Sequence, residues 1–587
     1  MSPVDATNRN TALATALVDE LARCGVRQAA IAPGSRSTPV ALALLRAPAI
    51  ETVSIVDERS AAFFALGASQ ATGVPAVVAC TSGTATANLH PAICEADEAG
   101  VPLIALTSDR PPELRGIGAG QTIDQIALYG GAVRWFSEVG IHEADDDGLL
   151  HHRSVACRAF AAAAGDPRPG PVHLNLSWRD PLGPEPQPGE VTASSPLAID
   201  GRGERPLVAV MAAAAAPDDA LVDELAARID AAPRGLIVAG RLTAPAATEV
   251  ALLAAATGYP ILAEPTSQLR LGPHDRTRVI SAYEPIARAR PDRLAPELVI
   301  RFGEMPTCKP LREWLAQLEG IRQIVVDPRH RWNEPTRHAE TLVRCGEAAL
   351  AAVLAERAAS PAAGDWLAAW IGAATAADDA IDAELASLDG PSEPALHRRL
   401  GRLYRDGEIV YTASSMPIRD QEAFLPAGPG DVRFLANRGA NGIDGLVSSG
   451  IGAAAASGHA TWIVTGDLGL HHDMNGLAVL RDAEPPVRIV VPNNDGGGIF
   501  EHLPQAEQVT RGEFESLFGT PLGLGLDRVA AVYDIPFARI DALDDLEALD
   551  TSGTSLIEVP VDRRADAALR RRIASAAEGA VLGAVPG

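Results

Sequence analysis

Three doubly wound α/β domains, each built on a parallel sheet, are the fold class this sequence predicts, and three observations predict it. The chain has 587 residues, several times what one hydrophobic core usually organises. Short β-branched runs alternate with alanine-rich amphipathic segments over almost its whole length, which is the rhythm of parallel strands joined by crossover helices. That rhythm breaks twice, at a proline-rich stretch after Asp180 and again near Ser360 and Pro361. The expected domains are therefore residues 1–183, 197–358 and 365–587.

In the first unit, strands are expected at residues 29–33, 52–58, 76–83, 102–109 and 171–177, each rich in Val, Ile, Ala or Thr. Residues 180–196 hold five prolines and little apolar content, and read as a linker. The second unit offers strands at 235–240, 297–303 and 322–328, then a helix from about Glu347 that ends near Ser360. The third offers strands at 408–415, 460–467, 487–495 and 554–561. No short-period repeat runs through them. Such layers suit dehydrogenases, kinases and synthases alike, so function has to be read from sites.

Charge narrows the partners. A net charge of -25 disfavours nucleic acid or an anionic membrane surface, both of which need a basic face. Any anionic ligand must then be gripped by local arginines. The six cysteines form no CxxC pair and read as buried, reduced thiols. The amino terminus is polar and no run approaches the ~20 apolar residues of a membrane span, so a cytoplasmic protein is expected. Among 50 basic residues Lys309 is the single lysine, a compact ammonium where every other cation is a guanidinium fork.

The strongest chemical signal is Gly466-Asp467-Leu468 at one strand end, with Asn494 in Asn-Asp-Gly-Gly-Gly at the end of the next strand, 27 residues after Asp467. In a doubly wound sheet ligands sit just beyond the carboxyl ends of strands, so Asp467 and Asn494 are expected to converge. A carboxylate and an amide oxygen, joined by the Gly496 carbonyl and two phosphate oxygens, make an octahedral shell for Mg²⁺ or Mn²⁺. Gly496 and Gly497 let the backbone approach a diphosphate. Either half alone would read as an ordinary turn rich in Gly, Asn and Asp. No GxxxxGK[ST] loop is present, which disfavours a P-loop nucleotidase.

This pair resembles the diphosphate signature of the thiamine-diphosphate-dependent enzymes, with Leu468 where that signature usually has a third glycine. Residues 32–39 (APGSRSTP), 57–60 (DERS), 81–88 (TSGTATAN), 108–114 (SDRPPEL) and 437–445 (NRGANGIDG) narrow the resemblance to the carboligase family of menaquinone biosynthesis, over nearly the whole chain. That resemblance implies thiamine diphosphate and Mg²⁺ or Mn²⁺ as cofactors. It implies decarboxylation of 2-oxoglutarate and addition of the product carbanion to isochorismate, two substrates carrying four carboxylates.

Glu58 leaves an apolar strand and enters an apolar helix, where dry surroundings would raise its carboxyl; the resemblance makes it the group that activates the cofactor. A helix-start acid favoured by the macrodipole is the competing reading. Arg36, Arg110, Arg419 and Arg438 lie in loops beyond strands, placed to grip carboxylates bidentately, where solvated surface arginines are the alternative. By resemblance Ser35, Gln121 and Lys309 join them on the substrates, although Pro310 stands where the family often has a second basic residue. Thr81, Ser415, Gly466, Leu468 and Gly497 fall to the cofactor, Ile443 wedges it into a bent shape, and Ile499 and Phe500 wall the substrate side. His471 and His472 point about 100° apart on a helix and read as surface. The resemblance also implies that Glu58 of one subunit serves a cofactor held by another: a homodimer is the minimum, and a homotetramer of two such dimers is compatible with it. An acetolactate-synthase-like enzyme and a non-catalytic cofactor-binding module remain alternatives at this point, separated by substrate use.

Overall fold

The computed structural model describes residues 4–165, 167–211, 216–358, 362–388, 390–482 and 484–585. Within them lie three six-stranded sheets, every pairing parallel. The first comprises β1 (Gln28–Ile31), β2 (Glu51–Ser54), β3 (Ala76–Cys80), β4 (Leu103–Asp109), β5 (Trp135–Glu138) and β6 (Pro171–Ser177) in the order β2-β1-β3-β4-β6-β5. The second comprises β7 (Gly235–Ala239), β8 (Ile261–Ala263), β9 (Val279–Ile280), β10 (Leu298–Phe302), β11 (Arg322–Val326) and β12 (Thr341–Val343) in the order β12-β11-β10-β7-β8-β9. The third comprises β13 (Ile409–Thr412), β14 (Arg433–Leu435), β15 (Thr461–Val464), β16 (Val487–Asn493), β17 (Phe537–Arg539) and β18 (Ser555–Pro560) in the order β14-β13-β15-β16-β18-β17.

The first and third sheets thus share one strand order, while the middle sheet follows the order of dinucleotide-binding folds. Burial explains which strands were legible. β3, β4 and β6 are buried at every position and read as continuous apolar runs. Six strands carry no clear pattern, and five of those, β5, β9, β12, β14 and β17, are sheet edges two to four residues long.

Two helices join the first and third domains. The helix Glu58–Thr72 starts where the Asp57 side chain accepts from the Arg59 and Ser60 amides and stops at Gly73, with φ 72°. It packs against the helix Leu446–Ser457 through small residues: a Cβ on Gly67 would lie 1.8 Å from the Ser449 carbonyl oxygen, and one on Gly452 would lie 2.0 Å from that of Phe64. Only glycine permits that approach. The helix Trp366–Ala386 packs on the middle sheet, where Trp366 Nε1 donates to the Gly235 carbonyl at 2.7 Å, and on the helix Arg563–Ala584.

Two expectations need correction. The proline-rich stretch after Asp180 is a strap over the first domain: Asn8 Nδ2 donates to the Gly183 and Glu185 carbonyls at 2.8 and 3.0 Å, and Asn10 Nδ2 to those of Arg179 and Pro181 at 2.6 and 2.8 Å. Side-chain amides 169 to 177 residues away tie down carbonyls that proline-rich chain cannot pair within itself. The cysteines are free, but Cys24 and Cys94 are half-buried, and the Cys24 thiol lies 3.8 Å from that of Cys157. The middle-domain helix runs Glu347–Arg357; Ser360 and Pro361 lie outside the described residues.

Candidate active site

At the carboxyl end of the third sheet, Asp467 opens a short helix after β15 and Asn494 follows β16, the two strands being neighbours. Both side chains are buried. Burial pushes the Asp467 carboxyl up to about 7, against the pull of backbone N–H donors from Gly496 and Leu468. Asn494 Nδ2 donates to Glu393 Oε1 at 2.7 Å, while its Oδ1 is buried with no partner among the described residues. An unmet buried acceptor costs about 1–3 kcal/mol, so this oxygen is shaped for a ligand. The Gly496 carbonyl accepts from the Gly498 N–H at 3.0 Å and keeps a second lone pair. Carboxylate, amide and peptide oxygens at one corner are a hard-donor set that fits Mg²⁺ or Mn²⁺.

The glycine loop is clamped from behind. A Cβ on Gly496, whose φ is 142°, would lie 2.0 Å from the Gly519 carbonyl oxygen, and the Gly497 amide donates to that same oxygen at 2.8 Å. Arg563 Nη1 donates to the Asn494 carbonyl at 3.2 Å and to that of Asp495, while its guanidinium pairs with Glu515 and Glu501. Gly466 has open space where a Cβ would stand, and Leu468 is half-buried beside it.

Beside this corner, between the middle and third domains, lies a cavity of about 510 Å³. Ser415, Arg419, Arg438, Ile443 and Ile499 all line it. Ser415 caps the helix Met416–Phe424 with φ 75°, a conformation that costs an L-residue free energy and concentrates at functional sites. Arg438 donates to Ser414 Oγ at 3.3 Å and to Thr307 Oγ1 at 3.1 Å. Burial first, and the neighbouring Arg438 second, pull the Arg419 guanidinium below its usual value, a strain that an anion would relieve. An adjoining cavity of about 420 Å³ shares Thr307, Arg312, Arg419 and Ile499 and reaches Lys309, which is exposed and pairs with Glu313 at 3.4 Å. Phe500 lines neither cavity and packs against Phe518, their rings 5.5 Å apart, because a 3-10 turn sends successive side chains in different directions.

A second cluster occupies the carboxyl end of the first sheet. Arg36 follows β1, Thr81 follows β3 and Arg110 follows β4. Arg36 Nη1 donates to the Trp178 carbonyl at 2.9 Å, and burial, with Arg110 next, lowers its guanidinium. Arg110 donates to Ser82 Oγ, and Gln121, with φ 55°, donates from Nε2 to the Ser82 carbonyl at 3.1 Å. Thr81 lies so close to Gly34 that a Cβ there would be 2.3 Å away, and Ser35 is exposed. Glu58 is half-buried and accepts from Asn88 Nδ2 at 3.2 Å. The dry surroundings expected for it are therefore not supplied by its own chain, since the helix start opens outward beside Val56, which is 81% exposed.

The structure thus gathers the expected residues into two groups; among the described residues no hydrogen bond of Ser35, Arg36, Glu58, Thr81, Arg110 or Gln121 reaches the third-domain group, although Asp57, Arg59 and Ser60 beside Glu58 meet Asn475, His472 and Asp473. His471 and His472 are exposed, and His472 meets Arg59. Sequence reasoning missed Glu393, Arg563 and the middle-domain residues Glu264, Glu304 and Thr307. Glu264 directly follows β8, a strand the sequence did not reveal, whereas Glu304 lies just beyond β10, which was expected, so its place at a strand end was a signal that could have found it.

Comparison with known proteins follows the same lines. Residues 11–128 match the family described as "Thiamine pyrophosphate enzyme, N-terminal TPP binding domain", and residues 212–410 match "Middle domain of thiamine pyrophosphate". The chain is 42% identical to 2-succinyl-5-enolpyruvyl-6-hydroxy-3-cyclohexene-1-carboxylate synthase of Halobacterium salinarum, over 98% of this chain and 99% of that one. It is 41% identical to the synthases of the same name from Myxococcus xanthus, over 96% and 97% of the two chains, and Geobacillus kaustophilus, over 95% and 96%. Among the described residues no helix is long and apolar enough to cross a membrane.

Proposed function

The chain belongs to the 2-succinyl-5-enolpyruvyl-6-hydroxy-3-cyclohexene-1-carboxylate synthase family, and from that membership we propose that its two polar clusters are the halves of one active site. The protein is a thiamine-diphosphate-dependent transferase of menaquinone biosynthesis, joining decarboxylation of 2-oxoglutarate to addition on isochorismate. The observation that carries the site assignment is the buried, partnerless Asn494 Oδ1 next to Asp467. Asp467, Asn494 and the Gly496 carbonyl would hold Mg²⁺ or Mn²⁺, with Gly466, Leu468 and Gly497 around the diphosphate.

Thiamine diphosphate, when bound, supplies the electron sink for loss of CO₂. The rest falls to the chain. Glu58 would hold a proton on its carboxyl toward the cofactor's pyrimidine, and Thr81 and Ile443 would help to hold the cofactor. Arg419 and Arg438, backed by Ser415 and Ile499, grip substrate carboxylates from the third domain; Ser35, Arg36, Arg110 and Gln121 do so from the first, and Lys309 from the middle domain. With both groups closed on the substrates, water is excluded and the nucleophilic carbon is protected from protonation.

Glu58 is only half-buried beside the exposed Val56, and family membership supports a complete site that takes the first domain of one subunit and the third of another. A homodimer is the smallest active unit, and a homotetramer of two such dimers preserves the same site. Free thiols and a soluble metabolic reaction favour the cytoplasm.

The test is mass spectrometry of products from purified protein with thiamine diphosphate, Mg²⁺, 2-oxoglutarate and isochorismate, beside Glu58→Gln. The expected result is the succinylated cyclohexene adduct from wild type and next to none from the variant. Turnover of pyruvate in place of 2-oxoglutarate would overturn the substrate assignment, and cofactor binding without turnover would leave a binding module.

A further inference from the structure

We propose that Glu264 is the proton donor that completes addition to the cyclic acceptor, an inference that rests on the function proposed above. The product's name states the chemical need. Its ring keeps one double bond, at carbon 3, carries the succinyl group on carbon 2 and the carboxylate on carbon 1. Forming the carbon–carbon bond at carbon 2 therefore sends the electron pair of a ring double bond to carbon 1, which must end as C–H. A proton has to arrive there, beside a carboxylate held by arginines.

The 510 Å³ cavity offers one group suited to this. Two carboxyls line it, Glu264 and Glu304. Glu304 is bound by Arg241 at 2.6 Å and Arg329 at 3.3 Å; these charges hold it ionised against the penalty of burial, down at about 2. Glu264 has no such pair. Its Oε1 accepts from Thr307 Oγ1 at 3.4 Å, and Thr307 in turn accepts from Arg438 at 3.1 Å, which ties the carboxyl to a substrate-gripping arginine. Burial pushes Glu264 up to about 7, outweighing the attraction of Arg438. The charged and titratable groups facing it are Arg438 from the loop after β14, Arg270 beside the 3-10 turn Pro265–Ser267, Glu304 beyond β10, and Glu422 on the helix Met416–Phe424. Two carboxyls in one cavity with acidities pushed apart mark the acid of the pair. The remaining polar lining residues are hydroxyls, amides and arginines, all much weaker acids at neutral pH.

The step balances. The Glu264 O–H bond breaks, the C–H bond at ring carbon 1 forms, and Glu264 is left as a carboxylate facing Arg438. Water returns the proton before the next turnover. No oxidant or reductant takes part.

The experiment compares the holoenzyme of wild type, Glu264→Gln and Glu264→Asp, measuring CO₂ release from 2-oxoglutarate alone and adduct formation with isochorismate across pH 6 to 9. Adduct formation by Glu264→Gln is expected to fall about a hundredfold, at least tenfold more than CO₂ release falls. The fall belongs to kcat, with KM for isochorismate changed less than about threefold. Wild-type adduct formation should decline above about pH 7, as the carboxyl ionises, and the glutamine variant should lack that limb. Glu264→Asp, which keeps an acid on a shorter stem, should recover part of the rate. Parallel losses of CO₂ release and adduct, or an adduct rate and pH profile matching wild type, would overturn the proposal. Wild type that turns over neither substrate would instead overturn the function on which it rests.

Discussion

The first and third domains have the same six-strand order, yet they prepare polar groups for ligands in opposite ways. In the first domain the functional side chains other than the buried Thr81 are half-buried or exposed, and their contacts are few: Glu58 with Asn88, Arg36 with Trp178 and the exposed Asp180. In the third, Asp467 and Asn494 are buried and braced by Glu393, by backbone amides and by the Arg563 clasp. One topology therefore yields a site half that waits for its walls and a half built in advance. The first half surrounds the point where strand order reverses, between β1 and β3, whereas the Asp467–Asn494 corner lies one strand beyond the corresponding reversal, at the ends of β15 and β16. What also differs is who provides the second layer.

The sharpest way to break this contrast is to remove the chemistry from each half and ask what else is lost. Asp467→Ala should lower turnover by at least about a thousandfold and abolish Mn²⁺ binding followed by electron paramagnetic resonance, since a buried metal ligand has no substitute. Glu58→Gln should lower kcat by roughly a hundredfold or more while leaving thermal stability of the cofactor-free protein within about 0.5 kcal/mol, because it gives up one long hydrogen bond at a half-buried position. A cofactor-free Glu58→Gln protein that melts several degrees lower would show that the first-domain half is braced after all.

The second layer gives a smaller and more structural difference. Arg563→Ala removes a cation from between Glu501 and Glu515 and frees two loop carbonyls, so unfolding in urea should show a loss of about 3 kcal/mol, and cofactor affinity should drop about tenfold. Arg36→Ala should cost under about 1 kcal/mol, because its carboxylate partner Asp180 is 77% exposed and solvent screens the pair. Equal stability losses would erase the distinction between the halves.

The same contrast decides what was legible in the chain. Gly466, Asp467 and Asn494 announce themselves because strand, turn residue and polar group are adjacent in sequence, and parallel strand order brings them together. Glu58 and the arginines of the first half are legible for the same reason. Glu393 is not: it reaches Asn494 across 101 residues, and nothing local to Ser392-Glu393-Pro394 distinguishes a brace from a helix start. Arg563 clasps a loop 68 and 69 residues earlier. Short edge strands such as β14 escaped because three residues carry too little alternation to outweigh a turn. The close approach of the helices Glu58–Thr72 and Leu446–Ser457 was invisible locally, since it depends on Gly67 and Gly452 meeting backbone hundreds of residues away.

The smallest effect expected is on pH and stability, and it again separates the domains. Burial raises Glu264 to about 7, Glu422 to about 8 and Asp566 to about 8, and all three lie in the middle and third domains. In the first domain burial also raises Glu95 and Asp109, but the Gly439 and Ala440 amides donate to Glu95 at 2.7 Å, and Asn175 and Arg115 bind Asp109, which opposes the rise in both. A carboxyl raised on folding binds a proton that the unfolded chain releases. The stability it contributes is fully present below its unfolded value, about 3.9 for Asp and 4.3 for Glu, shrinks as pH rises, and is gone above 7 to 8. The cofactor-free protein should therefore melt several degrees lower at pH 8 than at pH 5.5. Hydrogen exchange, corrected for the intrinsic pH dependence of exchange, should place the loosening in residues 235–343 and 409–584 and touch the first sheet least. Loosening that began in the first sheet would mean that its half-exposed ion pairs, and not the buried acids, set the pH response.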